Sequence, residues 1–302
     1  MLHRLAPRWT VRRQLAKVAV DGVRNPSHLR SRVNRHNLSA LRRFHRTTAD
    51  CNICGHHGRL LYEMPDLEVL RRHHIGFLRE SVRCRACGSK MRDRALAAGL
   101  LGELSRRFDV QAATIDELAT VLPPDLKILE TDAASRLSRR LADSPSVTRS
   151  LYYPDRASGE SLGEERLLNV DLEQMPFEDD SFDLILTTEV MEHVRHVEVA
   201  HREVARCLRP GGAYVFTVPY DPALEETLVL IDPETDEPLV LPMHMHGDPG
   251  MRDEGIKSYR VFGRDIVETL GRCGLETRFA PVEDPAIGVF GGDLFVAELP
   301  TA

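Results

Sequence analysis

Residues 171–194 read DLEQMPFEDDSFDLILTTEVMEHV, and residues 201–219 read HREVARCLRPGGAYVFTVP. In the first stretch, FDLILTT (182–188) is a continuous apolar run with the length of one buried strand. In the second stretch, HREVARCL continues a helical pattern that begins at His196, and AYVFTV follows the Pro-Gly-Gly stop as another buried strand. A strand, a helix and a strand in this order predict a βαβ unit with both strands parallel in one sheet.

The same alternation continues on both sides of this unit. Upstream, residues 127–131 (KILET) and 147–153 are predicted strands, with helical residues 134–142 between them. Downstream, a predicted helix at 264–273 precedes two predicted strands, 276–281 and 293–299. The pattern predicts an α/β domain over residues 123–302, built on a mostly parallel sheet with helices on both faces.

One segment of this domain, residues 220–259, does not follow the alternation. It is rich in Pro, Asp, Glu and His and is too long for a simple connection. Long insertions of this kind are usually binding loops or lids, so we expect it to border a functional site.

Two Cys-x-x-Cys-Gly motifs precede the α/β domain, at Cys51-Cys54 and Cys84-Cys87. Four thiolates are the number that a tetrahedral Zn²⁺ ion requires, and they leave no open position. The spacing therefore predicts a structural zinc module over residues 49–92, followed by linking helices over 93–122. We assign no role to Cys207 and Cys273, and we expect four histidines near the motifs to be surface residues: His56, His57, His73 and His74.

The first 48 residues are predicted to form a basic helical arm. Residues 1–46 hold twelve Lys or Arg and one acid, a net charge of +11, which leaves −17 for the rest of a chain whose total is −6. An arm of this charge could bind a phosphate-rich partner such as a nucleic acid or an anionic lipid surface. It could equally dock on the acidic body of its own chain or on a second subunit.

The composition is that of an ordinary globular protein, 42% hydrophobic and 28% charged. No run approaches the ~18 apolar residues that span a bilayer. Arginines also interrupt the first residues, which therefore lack the apolar core of a secretory signal. We accordingly expect a cytoplasmic protein without a transmembrane segment.

The quoted stretch, from the Asp171 turn to the Leu-x-Pro-Gly-Gly strand start, resembles class I S-adenosylmethionine-dependent methyltransferases of the small-molecule or glycoconjugate type. The resemblance covers roughly residues 127–302. It implies a Rossmann-like, seven-stranded sheet with an antiparallel last strand, preceded here by the zinc-ribbon-like module and the arm. It also implies O-methylation of a sugar, a polysaccharide or another small-molecule acceptor.

The resemblance places the cofactor at the carboxyl ends of the strands. Asp171 would accept a hydrogen bond from the adenine amino group, and Leu172 would pack on the ring. The complete set of predicted cofactor-binding residues is Glu130, Asp132, Asp155, Asp171, Leu172, Thr188 and Glu189. One departure stands out, because the first loop, KILETDAASRLSRR, contains none of the glycines that usually let the backbone approach the cofactor.

Transfer of a methyl group to an alcohol requires a base that removes the hydroxyl proton. The candidate bases are His193, which follows the FDLILTT strand, and His246 and Asp248, which lie in the insertion. The insertion motif HGDP, followed by YRVFGRD, is similar to a run found in some of these enzymes. A divalent metal ion held by His244, His246 and Asp248 is an alternative role for the same residues.

Two other functions compete with this prediction. Some RNA methyltransferases combine a zinc ribbon with the same fold, and the basic arm would suit phosphate contacts. An inactive homologue that only binds is the second alternative, because the cofactor loop lacks glycine. Cofactor binding distinguishes the second alternative from an enzyme.

Overall fold

The computed structural model describes residues 43–63, 78–164, 166–241, 243, 245–247 and 255–301. The helices are α1 (Leu78–Ser81), α2 (Met91–Phe108), α3 (Ile115–Val121), α4 (Arg136–Arg140), α5 (Val197–Cys207) and α6 (Ile266–Arg272), with a 3₁₀ turn at Pro285–Ile287. The strands are β1 (Thr48–Asp50), β2 (His57–Arg59), β3 (Leu61–Tyr62), β4 (Val82–Arg83), β5 (Ile128–Glu130), β6 (Val147–Leu151), β7 (Leu167–Asn169), β8 (Phe182–Thr188), β9 (Leu208–Thr217), β10 (Leu228–Val229), β11 (Met245–His246), β12 (Ile256–Lys257), β13 (Arg260–Val261), β14 (Glu276–Phe279), β15 (Val282–Asp284), β16 (Val289–Gly292) and β17 (Phe295–Glu298).

Seven strands form one sheet in the order β14-β17-β9-β8-β5-β6-β7. The pairs β5–β6, β5–β8, β6–β7 and β8–β9 are parallel. The last strand, β17, is antiparallel to both of its neighbours, β9 and β14. The predicted Rossmann-like sheet, mostly parallel with an antiparallel last strand, is confirmed.

The central strand β8 shows why this sheet is covered on both faces. Six of its seven residues are buried. Leu184 and Leu186 belong to a core that contains α2, whereas Ile185 belongs to a second core that contains α5 and α6. Side chains alternate between the faces of a strand, so a continuous apolar run requires helices on both sides.

The N-terminal residues form two short antiparallel hairpins, β1–β2 and β3–β4. They do not fold apart from the sheet, because Cys51, Ile53 and Cys84 belong to the same core cluster as Leu96 of α2 and Val215 of β9. The predicted boundary after residue 92 falls in the first turn of α2.

A fully buried arginine joins these hairpins to the rest of the molecule. The Arg94 guanidinium donates hydrogen bonds to the carbonyls of Ser89 and Gly288, each at 2.8 Å, and to that of Ile287 at 3.0 Å. Its own carbonyl accepts from Asn52 Nδ2 at 2.9 Å. One cation therefore satisfies carbonyls of residues that lie almost 200 positions apart in the sequence.

Three local features differ from the sequence prediction. Strand β9 begins at Leu208 rather than at 213 and passes through the Pro-Gly-Gly segment instead of following it. Gly212 permits this, because a Cβ there would lie 2.8 Å from the Arg209 carbonyl and 3.0 Å from that of Asp183. The edge strand β7 and the β15–β16 hairpin are additional elements that the sequence patterns did not predict.

The predicted arm helices lie outside the described residues, as do His73 and His74. His56 and His57 are exposed, as predicted. None of the described helices has the length and apolar character needed to cross a membrane.

Arg94→Met should destabilise the protein by at least about 3 kcal/mol. Hydrogen bonds from charged donors contribute about 1.5–3 kcal/mol each, and the substitution leaves several buried carbonyls without a donor. Urea unfolding followed by circular dichroism measures the change. Arg59→Met, at an exposed position, is the control and should change stability by about 0.5 kcal/mol or less. Equal stability of the two variants would contradict the bridging role of Arg94.

Candidate active site

A cavity of about 1160 Å³ lies at the carboxyl ends of the parallel strands. Its walls include Thr131 and Asp132 after β5, Tyr152 and Tyr153 after β6, and Thr188 and Glu189 at the end of β8. The insertion closes another side, where Met245, His246 and Tyr259 line the same cavity. The position is the one at which open α/β sheets bind their ligands.

Five of the seven predicted cofactor-binding residues line this cavity: Asp132, Asp171, Leu172, Thr188 and Glu189. Asp171 and Leu172 lie on the turn that precedes β8, and the Asp171 carboxylate accepts a hydrogen bond from the Glu173 amide at 2.9 Å. Glu130 and Asp155 do not line the cavity. Glu130 is fully buried at the end of β5, and Asp155 is exposed on the loop after β6.

The glycine-free loop after β5 is held by polar contacts of its own. Glu130 Oε1 accepts a hydrogen bond from the Asp132 amide at 3.0 Å, and the Ser135 hydroxyl caps α4 by accepting from the Ser138 amide. Burial, together with the charge of Asp132, raises the pKa of Glu130 to about 8. Burial also raises the pKa of Asp132 to about 6, although Arg92 opposes the shift. The loop therefore exposes one acid to the cavity and buries a second one beneath it.

Charged residues of the N-terminal module also line the cavity, which the sequence patterns did not indicate. They flank the Cys84-Cys87 motif in the chain and are Arg79, Glu80, Lys90 and Arg92. The Arg79 guanidinium lies 2.9 Å from Glu189 Oε2, and it donates to the Val218 carbonyl at 3.1 Å. The only signal in the sequence was the cluster of charges on either side of the second motif.

Glu80 connects these cations to one another. Its carboxylate lies 2.6 Å from Lys90 Nζ and 3.0 Å from Arg92 Nε. Burial favours the neutral acid, but the charges of Arg92 and Lys90 outweigh it and lower the pKa of Glu80 to about 2. The module thus presents a preorganised positive surface opposite the acids of the sheet edge.

Glu189 ends β8 with a φ of 53°, which is the left-handed region. A non-glycine residue in this conformation is strained by about 1–3 kcal/mol, and such strain is concentrated at functional sites. The Glu189 amide donates to the Thr217 carbonyl at 2.9 Å, which holds the turn. Thr188 Oγ1 and Glu189 Oε1 are buried and have no hydrogen-bond partner among the described residues. These polar atoms, with Asp171 and Leu172, fit the ribose, amino and ring groups of S-adenosylmethionine.

A second group of polar residues forms where the loop after β8 meets the insertion. Glu192 Oε1 lies 3.6 Å from His193 Nε2 and 3.7 Å from His246 Nδ1. The two imidazole rings are perpendicular, with centroids 4.9 Å apart. Glu192 is fully buried, and burial together with the charge of Glu189 raises its pKa well above the ordinary value.

The insertion fixes this group in place. His193 Nδ1 lies 2.7 Å from the Lys257 carbonyl, and the Tyr259 amide donates to the Glu192 carbonyl at 2.8 Å. Buried Arg260 donates to the carbonyls of Met191, Val194 and Arg195. The loop that carries Glu192 and His193 is therefore tied to residues 257–260 by backbone and side-chain hydrogen bonds.

Of the predicted catalytic residues, the structure brings His193 and His246 together at the cavity. Asp248 and His244 lie outside the described residues. Glu192 follows β8 beside His193 and faces the cavity, but the sequence predicts no catalytic or cofactor-binding role for it. No pattern of spacing indicates that a single acid within an amphipathic segment will be fully buried.

The four predicted metal-ligating cysteines also come together. Cys51 Sγ lies 3.8 Å from Cys87 Sγ, Cys54 Sγ lies 3.9 Å from Cys84 Sγ, and all four sulfurs lie within 4.8 Å of one another. The cysteines are not disulfide-bonded. Gly55 and Gly88, which follow the motifs, have φ values of 67° and 75°, the left-handed conformation expected of such turns.

Comparison with known proteins agrees with the fold. The profile of the family described as "Methyltransferase domain" matches residues 146–216, which run from β6 to β9. A S-adenosylmethionine-dependent methyltransferase of Methanosarcina mazei is 18% identical, with 61% of this chain and 97% of that chain covered and a TM-score of 0.37. A S-adenosylmethionine-dependent methyltransferase of Mesorhizobium loti is 20% identical, with 60% and 95% covered and a TM-score of 0.37. No curated protein matches the sequence.

The methyltransferase profile and the sheet topology agree over β6 to β9. The similarity to the solved structures is low and carries no argument. The acceptor and the roles of individual residues depend on the chemistry of the cavity itself.

Glu130→Gln should reduce the loss of stability between pH 5 and pH 8. The pKa of Glu130 is raised from 4.5 to about 8, so the folded protein keeps a proton in this window that the unfolded chain loses. Wild-type stability then falls as the pH rises, by up to about 1.4 kcal/mol per pH unit for one proton. Urea unfolding at pH 5 and pH 8 measures the difference. Glu178→Gln, at an exposed acid, should keep the wild-type slope, and an unchanged slope in Glu130→Gln would contradict the burial of a neutral acid.

Proposed function

We propose that the protein is a S-adenosylmethionine-dependent methyltransferase that methylates a hydroxyl group of a sugar, a glycoconjugate or another small-molecule acceptor. The observation that carries the proposal is the cavity, because five predicted cofactor-binding residues and the candidate bases His193 and His246 line one space at the carboxyl edge of the sheet. The methyltransferase family match over residues 146–216 supports the same reaction class.

The chain's own residues suit the parts of this cofactor. Asp171 offers a carboxylate and Leu172 an apolar side chain to the adenine. Thr188 and Glu189 line the same cavity, and we assign them to the ribose or the methionine moiety. Arg92 and Lys90 supply the cations that a methionine carboxylate needs, and Asp132 supplies an acceptor for its amino group.

When bound, S-adenosylmethionine supplies an electrophilic methyl group on a sulfonium. The chain's task is to position an acceptor oxygen in line with that group and to take up its proton. His246 and His193 lie at the cavity wall and can act on the hydroxyl proton, and the carboxyl group of Glu192 lies within 4 Å of both rings. Ile256, Ser258 and Tyr259 of the insertion line the same cavity.

The charge of the walls favours a small or neutral acceptor over RNA. Eight acidic residues line the cavity: Glu80, Asp132, Asp171, Glu173, Glu189, Glu192, Asp221 and Asp293. Four cations line it: Arg79, Lys90, Arg92 and Arg195. Three of these cations, Arg79, Lys90 and Arg92, already pair with cavity acids. A polyanion would meet net repulsion here, whereas hydroxyl groups can donate to the carboxylates.

We also propose that the four cysteines bind one structural Zn²⁺ ion. Sulfurs at about 2.3 Å from a tetrahedral ion stand about 3.8 Å apart. The measured separations of 3.8 and 3.9 Å agree with this value. No further ligand is needed, so the role is to stabilise the hairpins rather than to take part in chemistry.

Asp171→Ala should weaken S-adenosylmethionine binding by about 1–3 kcal/mol, because a buried polar partner loses its acceptor. Isothermal titration calorimetry with the cofactor and with its demethylated product measures the affinity. Asp125→Ala, at an exposed acid before β5 on the opposite edge of the sheet, should bind as the wild type does. If the wild type binds neither compound, the chain is a binding scaffold rather than a methyltransferase.

Cys84→Ser should abolish the thiolate metal site and destabilise the N-terminal hairpins, whereas Cys207→Ser should retain the site. The reason is that Cys207 lies at the end of α5 within the apolar core of the sheet. Substitution with Co²⁺ reports on the thiolate site alone, through the sulfur-to-cobalt charge-transfer absorption. Equal absorption in the two variants would overturn the assignment.

A further inference from the structure

We infer that Glu192, His193 and His246 form a binding site for a divalent cation on the wall of the cavity. Each of the three residues offers one ligand atom, and these atoms all lie within 4.8 Å of one another. The imidazole nitrogens within 4 Å of Glu192 Oε1 are Nε2 of His193 and Nδ1 of His246. The site is separate from the four cysteines and uses a different set of donor atoms.

The distances fit ligation better than hydrogen bonding. Glu192 Oε1 is 3.6 Å from one imidazole nitrogen and 3.7 Å from the other, beyond ordinary hydrogen-bond length. Two ligands at about 2.1 Å from one ion stand about 3.0–4.2 Å apart, depending on the angle between them. Both Glu192–histidine distances fall within this range.

The surroundings of Glu192 favour a bound cation. Its side chain is fully buried, and neither carboxylate oxygen has a hydrogen-bond partner among the described residues. A buried carboxyl group without partners is costly in either protonation state. A cation coordinated by Glu192 satisfies the oxygen that faces the histidines and offsets the repulsion from neighbouring Glu189.

The histidine ring is oriented as a metal ligand usually is. The Nδ1–H of His193 donates to the Lys257 carbonyl at 2.7 Å, which fixes the orientation of the ring, and Nε2 lies 3.6 Å from Glu192 Oε1. Metal-ligating histidines commonly donate their second nitrogen to a carbonyl in this way. Arg260 holds the loop rigid, since it bonds to the carbonyls of Met191, Val194 and Arg195.

Two imidazoles and one carboxylate suit borderline divalent ions such as Mn²⁺, Fe²⁺, Co²⁺ or Zn²⁺, and they leave coordination positions open. Because all three residues line the cavity, those positions face the space in which an acceptor would bind. The role at the acceptor rests on the proposed function: a hydroxyl bound to the ion loses its proton more readily, and the proton passes to water in the cavity. With the ion in place, the two ring nitrogens are ligands rather than bases.

The test is a titration of the full chain with Mn²⁺, in which electron paramagnetic resonance measures the concentration of the free ion. Mn²⁺ is chosen because it prefers oxygen and nitrogen ligands to thiolates. We expect one site per chain. His246→Ala and His193→Ala should each weaken it about tenfold or more. His246 is partly exposed on the insertion, and its removal should leave the circular dichroism spectrum and the unfolding transition unchanged.

His196→Gln is the matched control, because His196 lines the same cavity but contacts Glu173 rather than Glu192. It should bind Mn²⁺ as the wild type does. Absence of a site in the wild type, or equal affinity in His246→Ala and the wild type, would overturn the inference. S-adenosylmethionine binding is measured separately, so retained cofactor binding without Mn²⁺ binding would reject the cation site alone.

Discussion

The arrangement of the molecule depends on one electrostatic constraint, the gathering of carboxylates at the carboxyl edge of the sheet. Parallel strands end at the same edge, and here Glu130, Asp132, Glu189 and Glu192 follow two adjacent strands, β5 and β8. Acids this close raise one another's pKa and must be neutralised or paired. The chain protonates some of them and brings cations from elsewhere to the others.

Those cations come from residues that flank the second cysteine motif, Arg79 in α1 and Lys90 and Arg92 at the start of α2. Arg79 pairs with Glu189, while Arg92 and Lys90 pair with Glu80. The N-terminal module is therefore part of the cavity wall and shares a core with α2 and β9.

The sheet could largely be predicted from the sequence, whereas only part of the candidate site could be predicted. Periodicity identified β8 with its bounds and placed linking helices, here α2 and α3, between the cysteine motifs and the sheet, because long apolar faces leave a clear pattern. Strand β7 was missed since three residues at a sheet edge carry no period, and the extent of β9 was missed since Gly212 acts through a close backbone approach. The partnership of Glu192 with His246 joins residues 54 positions apart, and the burial of Arg94 depends on carbonyls almost 200 residues away. Such contacts are set by tertiary packing, which the pattern of a single sequence does not reveal.

The placement of α1 couples the cysteine turn to the wall of the cavity. This helix is a single turn that leads through β4 directly into Cys84, and it carries Arg79 and Glu80 into the cavity. Any force that orders the cysteine turn also orders the cavity wall, and the coupling is reciprocal by thermodynamic necessity. Under the proposed zinc assignment, a ligand that orders Arg79 at Glu189 would raise the affinity of the thiolates for the ion, and oxidation of one sulfur would lower the affinity for that ligand.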